Sequence, residues 1–98
     1  HTASLFPHTP PLGETQRLIC FNRGVSADPP DRLTMTYPLI NAARFIAIMV
    51  CGAGKAKMIR RVASEAGRET KADLPIKGIK PLNGELKWYL DAPAAGNG

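Results

Sequence analysis

The chain has 98 residues, enough for one small domain and no more. Its hydrophobic content of 44% sets aside an intrinsically disordered segment, and no apolar run approaches the roughly 20 residues that span a bilayer. The net charge of +5 suits nucleic acid, an anionic membrane or a small anionic substrate; the densest basic stretch, residues 55–71, contains no aromatic on which a base could stack, so it reads as a solvated helix face.

The opening HTASLFPHTPPLG has no initiator Met and no basic stretch leading into an apolar run, so it is not read as a signal peptide. The expectation is a soluble piece of a longer chain, working in the cytoplasm. Cys20 and Cys51 each sit in an apolar run and are expected as buried free thiols. Neither belongs to a CxxC pair, so a structural zinc site has no support, while a disulfide between them stays open.

In chain order, residues 3–6 form a short apolar helical turn, and Pro7, Pro10 and Pro11 turn it into a loop. Residues 17–22, RLICFN, predict a strand, and 23–31 a Gly/Asp/Pro-rich loop. In RLTMTY, residues 32–37, Leu33, Met35 and Tyr37 alternate with Thr34 and Thr36, a strand period. Pro38 suits the first turn of a helix over 39–44. FIAIMVC, residues 45–51, is a continuous apolar run of the kind buried on both faces of a parallel sheet. After a Gly52-Ala53-Gly54 turn, a helix is expected over 55–66, with Met58, Ile59, Val62, Ala63 and Ala66 on one face and Gly67 as its C-terminal cap. Residues 68–73 read as a polar loop and 74–81 as irregular. ELKWYL, residues 85–90, is the last strand, with Leu86, Trp88 and Leu90 on one face packing the core. Strands alternating with helices give an α/β sheet.

Three features bear on chemistry. A strand, a Gly-rich turn and a helix that opens with Lys55 can hold a phosphate through helix-end N–H groups and the ammonium. It lacks the spacing of a P-loop, and Lys57 stands where a dinucleotide fingerprint needs Gly, so from spacing alone an ordinary αβ turn remains open. Arg32 opens a strand, where it is either an exposed strand-end residue or a bidentate phosphate ligand. His1 and His8 are too few for a metal site, and a Cys–His nucleophilic pair has little support.

Together and in this order, these segments resemble the 6-phosphogluconolactonases. HTASLFP is similar to the second part of that family's Gly-x-Asp-Gly-His-Thr-Ala-Ser-Leu-Phe-Pro signature. RLTMTYPLINAAR resembles its strand–helix segment ending in Asn-Ala-Ala-Arg, VCGAGKA its Gly-x-x-Lys-Ala turn, and GELKWYLDAPAA its C-terminal strand. The resemblance implies that residues 1–98 are the C-terminal portion of a single domain whose N-terminal half is absent. It implies a modified Rossmann-like three-layer αβα sandwich with a mostly parallel sheet, shared with glucosamine-6-phosphate deaminases and ribose-5-phosphate isomerases. The implied reaction is hydrolysis of the δ-lactone of 6-phosphogluconate in the oxidative pentose phosphate pathway, with no metal or organic cofactor.

On that resemblance His1 is the general base, and Arg32 and Lys55 bind the substrate phosphate. The implied partner is a phosphosugar lactone, with no nucleic acid and no membrane, and a functional or fused association with a glucose-6-phosphate dehydrogenase is open. One departure is His8, where the family often has Gly; it is expected to leave the chemistry untouched. A sugar-phosphate deaminase of the same fold is the competing enzyme, but its signature continues Ile-Ala-Phe-Asn-Glu-Pro where this chain has Thr2-Ala3-Ser4-Leu5-Phe6-Pro7. A catalytically inert fragment is the other alternative.

Overall fold

The computed structural model describes residues 1–64 and 69–96. Its first two strands, β1 (Ile19–Asn22) and β2 (Arg32–Met35), pair antiparallel, with Ile19 opposite Met35 and Asn22 opposite Arg32. The short loop between them allows this return, whereas a parallel partner would need a crossover of a dozen or more residues. Among the described residues the strands thus form one antiparallel and one parallel pair.

The alternation in RLTMTY is real, but its buried side is the threonine side. Thr34 and Thr36 are buried while Leu33 and Met35 are exposed. Hydrogen bonding explains the choice. The Thr36 hydroxyl donates to the Arg17 carbonyl (2.5 Å), and Thr34 Oγ1 accepts from the Ser4 N–H (3.1 Å). These threonines therefore tie neighbouring backbone down, and a buried hydroxyl with partners is tolerated.

Helix α1 (Tyr37–Asn41) starts earlier and ends sooner than the expected 39–44, with Pro38 in its first turn. It leads into β3 (Phe45–Val50), which pairs parallel with β4 (Glu85–Leu90), from Phe45 opposite Glu85 to Val50 opposite Leu90. Between these strands lie a 3₁₀ turn, Ala53–Lys55, and helix α2 (Ala56–Ala63). Strand, helix and parallel strand make a βαβ unit, which gives the chain its α/β character. Ser64 is already extended, so α2 stops before the expected end at 66; the expected Ala66 face position and Gly67 cap lie outside the described residues.

The core is formed by Leu5, Leu12, Tyr37, Ile46 and Ile79, with Ile40, Ile48 and Leu86 packed against it. Tyr37 sits so close to the 3₁₀ turn Pro75–Gly78 that a Cβ on Gly78 would lie 2.2 Å from the tyrosine ring. Four further expectations are corrected. Residues 3–6 are not a helical turn but a tight reversal closed by Thr2 and Leu5, and the helical segment is a 3₁₀ turn at Pro10–Gly13. The apolar run of β3 is not buried on both faces: Ile46 is buried, but Phe45 and Met49, on the opposite face, are exposed. Trp88 and Leu90 are likewise exposed instead of packing the core. Both thiols are free; Cys51 is exposed and Cys20 half-buried, against the expectation that both are buried.

Candidate active site

The loop that carries His1 is strapped to the antiparallel pair. Thr2 and Leu5 exchange backbone hydrogen bonds (3.1 and 2.9 Å), and the fully buried Leu5 anchors the reversal in the core. Beyond the bond from Ser4 to Thr34, the buried Asn22 donates its amide to the Ser4 carbonyl (2.8 Å) and to Thr9 Oγ1 (3.1 Å). The exposed His1 is therefore presented by a backbone held at three points. Its imidazole stacks on Phe6, with ring centroids 4.8 Å apart and planes within 10° of parallel.

Lys55 comes from the other sheet. Gly52 ends the strand segment with φ of 95°, a conformation that suits glycine, and the chain turns into α2. Asp91, just past β4, fixes this turn: both of its carboxylate oxygens accept the Gly52 N–H at 3.1 Å, and Oδ1 also accepts the Ala94 N–H at 2.8 Å. Charge-assisted bonds of this type are stronger than neutral ones.

His1 and Lys55 line the same cavity of about 350 Å³. Its walls come from the first loop, from β3, from the apolar face of α2 (Met58, Ile59, Val62), from residues 73–76, and from Trp88. The apolar stripe of α2, read from sequence as a face turned to a core, thus faces this cavity, and none of its residues is fully buried.

Arg32 does not line the cavity. Its guanidinium carbon lies 5.6 Å from the centre of the Phe6 ring, and its Nε and one terminal nitrogen donate to the carbonyls of Pro29 (2.8 Å) and Asp28 (3.0 Å). This holds the group in one orientation and leaves N–H donors of the fork unused by those two carbonyls. His8 adopts φ of 57°, in the left-handed region that glycine favours, so the glycine expected here from the resemblance would fit without strain. His8 Nε2 lies 3.1 Å from Asp73, which lines the cavity.

The model of the family described as glucosamine-6-phosphate isomerases/6-phosphogluconolactonase matches residues 1–88. The chain belongs to this family. Similar proteins include a probable 6-phosphogluconolactonase 4, chloroplastic, of Oryza sativa subsp. indica, 36% identical over 95 residues, which cover 96% of this chain and 29% of that protein. The Homo sapiens 6-phosphogluconolactonase is also 36% identical over 95 residues, covering 97% of this chain and 36% of that one. Among solved structures, the devB protein matches with a TM-score of 0.77 at 29% identity, over 96% of this chain and 38% of that one. The 6-phosphogluconolactonase of Leishmania guyanensis matches in fold, with a TM-score of 0.77 at 22% identity, over 97% of this chain and 36% of that chain. The chain therefore spans about a third of the length of the family members it matches.

Sequence reasoning missed four residues at this site. Phe6 sat inside the most specific motif but was not given a role. Strand periodicity points Trp88 to the core. Asp73 and Asp91 are isolated acids in polar or terminal stretches; only the folded chain brings Asp91 to Gly52, 39 positions away.

Proposed function

We propose that this chain is the C-terminal part of a 6-phosphogluconolactonase domain and carries its general base and part of its phosphate grip. The observation that carries the reading is that His1 and Lys55 open onto one cavity. The names of the relatives and the family match support the substrate class. The complete domain is a three-layer αβα sandwich in this reading, with β3–α2–β4 as one of its parallel units.

The reaction proceeds by attack of water on the lactone carbonyl carbon, C1. Water is a weak nucleophile for an ester, and a neutral imidazole can take its proton as the C–O bond forms. The tetrahedral intermediate then collapses with cleavage of the bond from C1 to the ring oxygen. That oxygen leaves as an alcohol after taking the proton back from the His1 imidazolium, so the base is regenerated and the carboxylic acid ionises to 6-phosphogluconate. Lys55 and Arg32 hold the remote 6-phosphate, which orients C1 over the base and its water. The fixed orientation of the Arg32 fork supports its part. The same reading puts the protein in the cytoplasm and leaves room for association with a glucose-6-phosphate dehydrogenase.

The test is to supply the whole protein with 6-phosphogluconolactone or glucosamine 6-phosphate and follow lactone loss and ammonia release. Lactone loss well above the spontaneous rate, with no ammonia, is the expected result. Ammonia release without lactone hydrolysis would replace the reading with a deaminase.

A further inference from the structure

We propose that Phe6 is a positioning residue for the reaction, a single buried ring that sets both His1 and Arg32. The inference rests on the reading of His1 as base and Arg32 as part of the phosphate grip, and deepens it. Phe6 is only 9% exposed, yet both side chains reach it. The imidazole lies 4.8 Å from its centroid in a near-parallel stack, and the guanidinium carbon of Arg32 lies 5.6 Å from the same centroid.

Each contact has its own physical basis. Offset stacking of two flat rings restricts rotation of the exposed imidazole about its side-chain bonds. The guanidinium is drawn to the ring face by a cation–π attraction, while the carbonyls of Pro29 and Asp28 fix its tilt. The ring itself has little freedom: Leu5 beside it is fully buried, and Ser4 is tied to Thr34 and Asn22. A shift of Phe6 therefore moves base and grip together. Since a misplacement of about 1 Å can cost on the order of a hundredfold in rate, such a shared support has kinetic weight.

The test uses the whole protein with Phe6→Leu, which keeps apolar bulk but removes the ring faces, and Phe6→Tyr, which keeps them. Rates are taken per folded molecule, with folding checked by circular dichroism. The expected result is a fall in kcat of about tenfold and a rise in KM of several-fold for Phe6→Leu, with both restored to within about twofold in Phe6→Tyr. Wild-type kcat and KM in Phe6→Leu, or equal impairment of the two variants, would overturn the proposal. A second readout needs no variant: the carbon-bound protons of the His1 imidazole, lying against the Phe6 face, resonate upfield of their random-coil positions in the NMR spectrum. Random-coil positions overturn the proposal even if Phe6→Leu does not fold. Failure of the parent reading looks different, since it appears as undiminished kcat in His1→Ala.

Discussion

The Tyr37 hydroxyl donates to the Pro75 carbonyl at 2.6 Å from within the core, joining α1 to the segment that walls the cavity. Burial pushes this phenol up from its ordinary value of about 10 to about 12. The unfolded tyrosine therefore loses its proton first, so stability from the neutral buried phenol is intact below pH 10 and falls as pH climbs from 10 toward 12. Tyr37→Phe is expected to lower stability at neutral pH by about 1–3 kcal/mol, because the Pro75 carbonyl loses its donor. The same change should flatten the alkaline decline. Thermal unfolding of the whole protein and the variant, from pH 7 to 12, checks both; an unchanged slope above pH 10 would assign the decline to other groups. Asn22 acts in a similar way for the first loop: almost fully buried, it offers its amide to Ser4 and Thr9, so a polar side chain replaces what would otherwise be apolar packing.

At the level of elements, the turn after β3 depends on a residue from β4's far end. Asp91 accepts the Gly52 N–H with both oxygens and so sets the direction in which Lys55 leaves the strand. Asp91→Ala is expected to raise KM for the lactone several-fold with kcat within about twofold, while Asp91→Asn, which retains an acceptor oxygen, stays near wild type. Steady-state kinetics on the whole protein decide, and an unchanged KM in Asp91→Ala would remove the clamp's functional role. Much of the element order is legible in the sequence, because Gly, Pro and apolar runs punctuate it: the four strands fall within RLICFN, RLTMTY, FIAIMVC and ELKWYL, and the two helices overlap the expected 39–44 and 55–66 with shifted ends. The faces were less legible. Alternation in RLTMTY fixed the period but not which side is buried, since the partners of Thr34 and Thr36 lie at Ser4 and Arg17. The apolar length of FIAIMVC points to cover on both faces, yet Phe45 and Met49 on one face stand exposed. Of the candidate site, His1, Lys55 and Arg32 stand out in the sequence; the fold brings His1 and Lys55 to one cavity and leaves Arg32 outside it, and the contacts of Phe6 with His1 and Arg32 emerge only from the packing.

At the scale of the whole molecule, two small sheets leave large apolar side chains open, among them Phe21, Leu33, Met49 and Leu82. Open strand edges and apolar faces of this kind call for further chain to cover them, in keeping with relatives of which this chain spans about a third. The 98 residues on their own are therefore expected to hydrolyse the lactone no faster than its spontaneous rate; clear hydrolysis by the isolated piece, followed by lactone loss, would show that it holds a complete site. His1 and Lys55 open onto one cavity, and the proposed function divides chemistry and binding between them. The most direct measurement is kcat and KM for lactone hydrolysis in His1→Ala and Lys55→Ala. The expected result is a loss of about a hundredfold or more in kcat for His1→Ala, with the main effect of Lys55→Ala a raised KM; near-normal kcat in His1→Ala would contradict the assignment of the base and with it the mechanism.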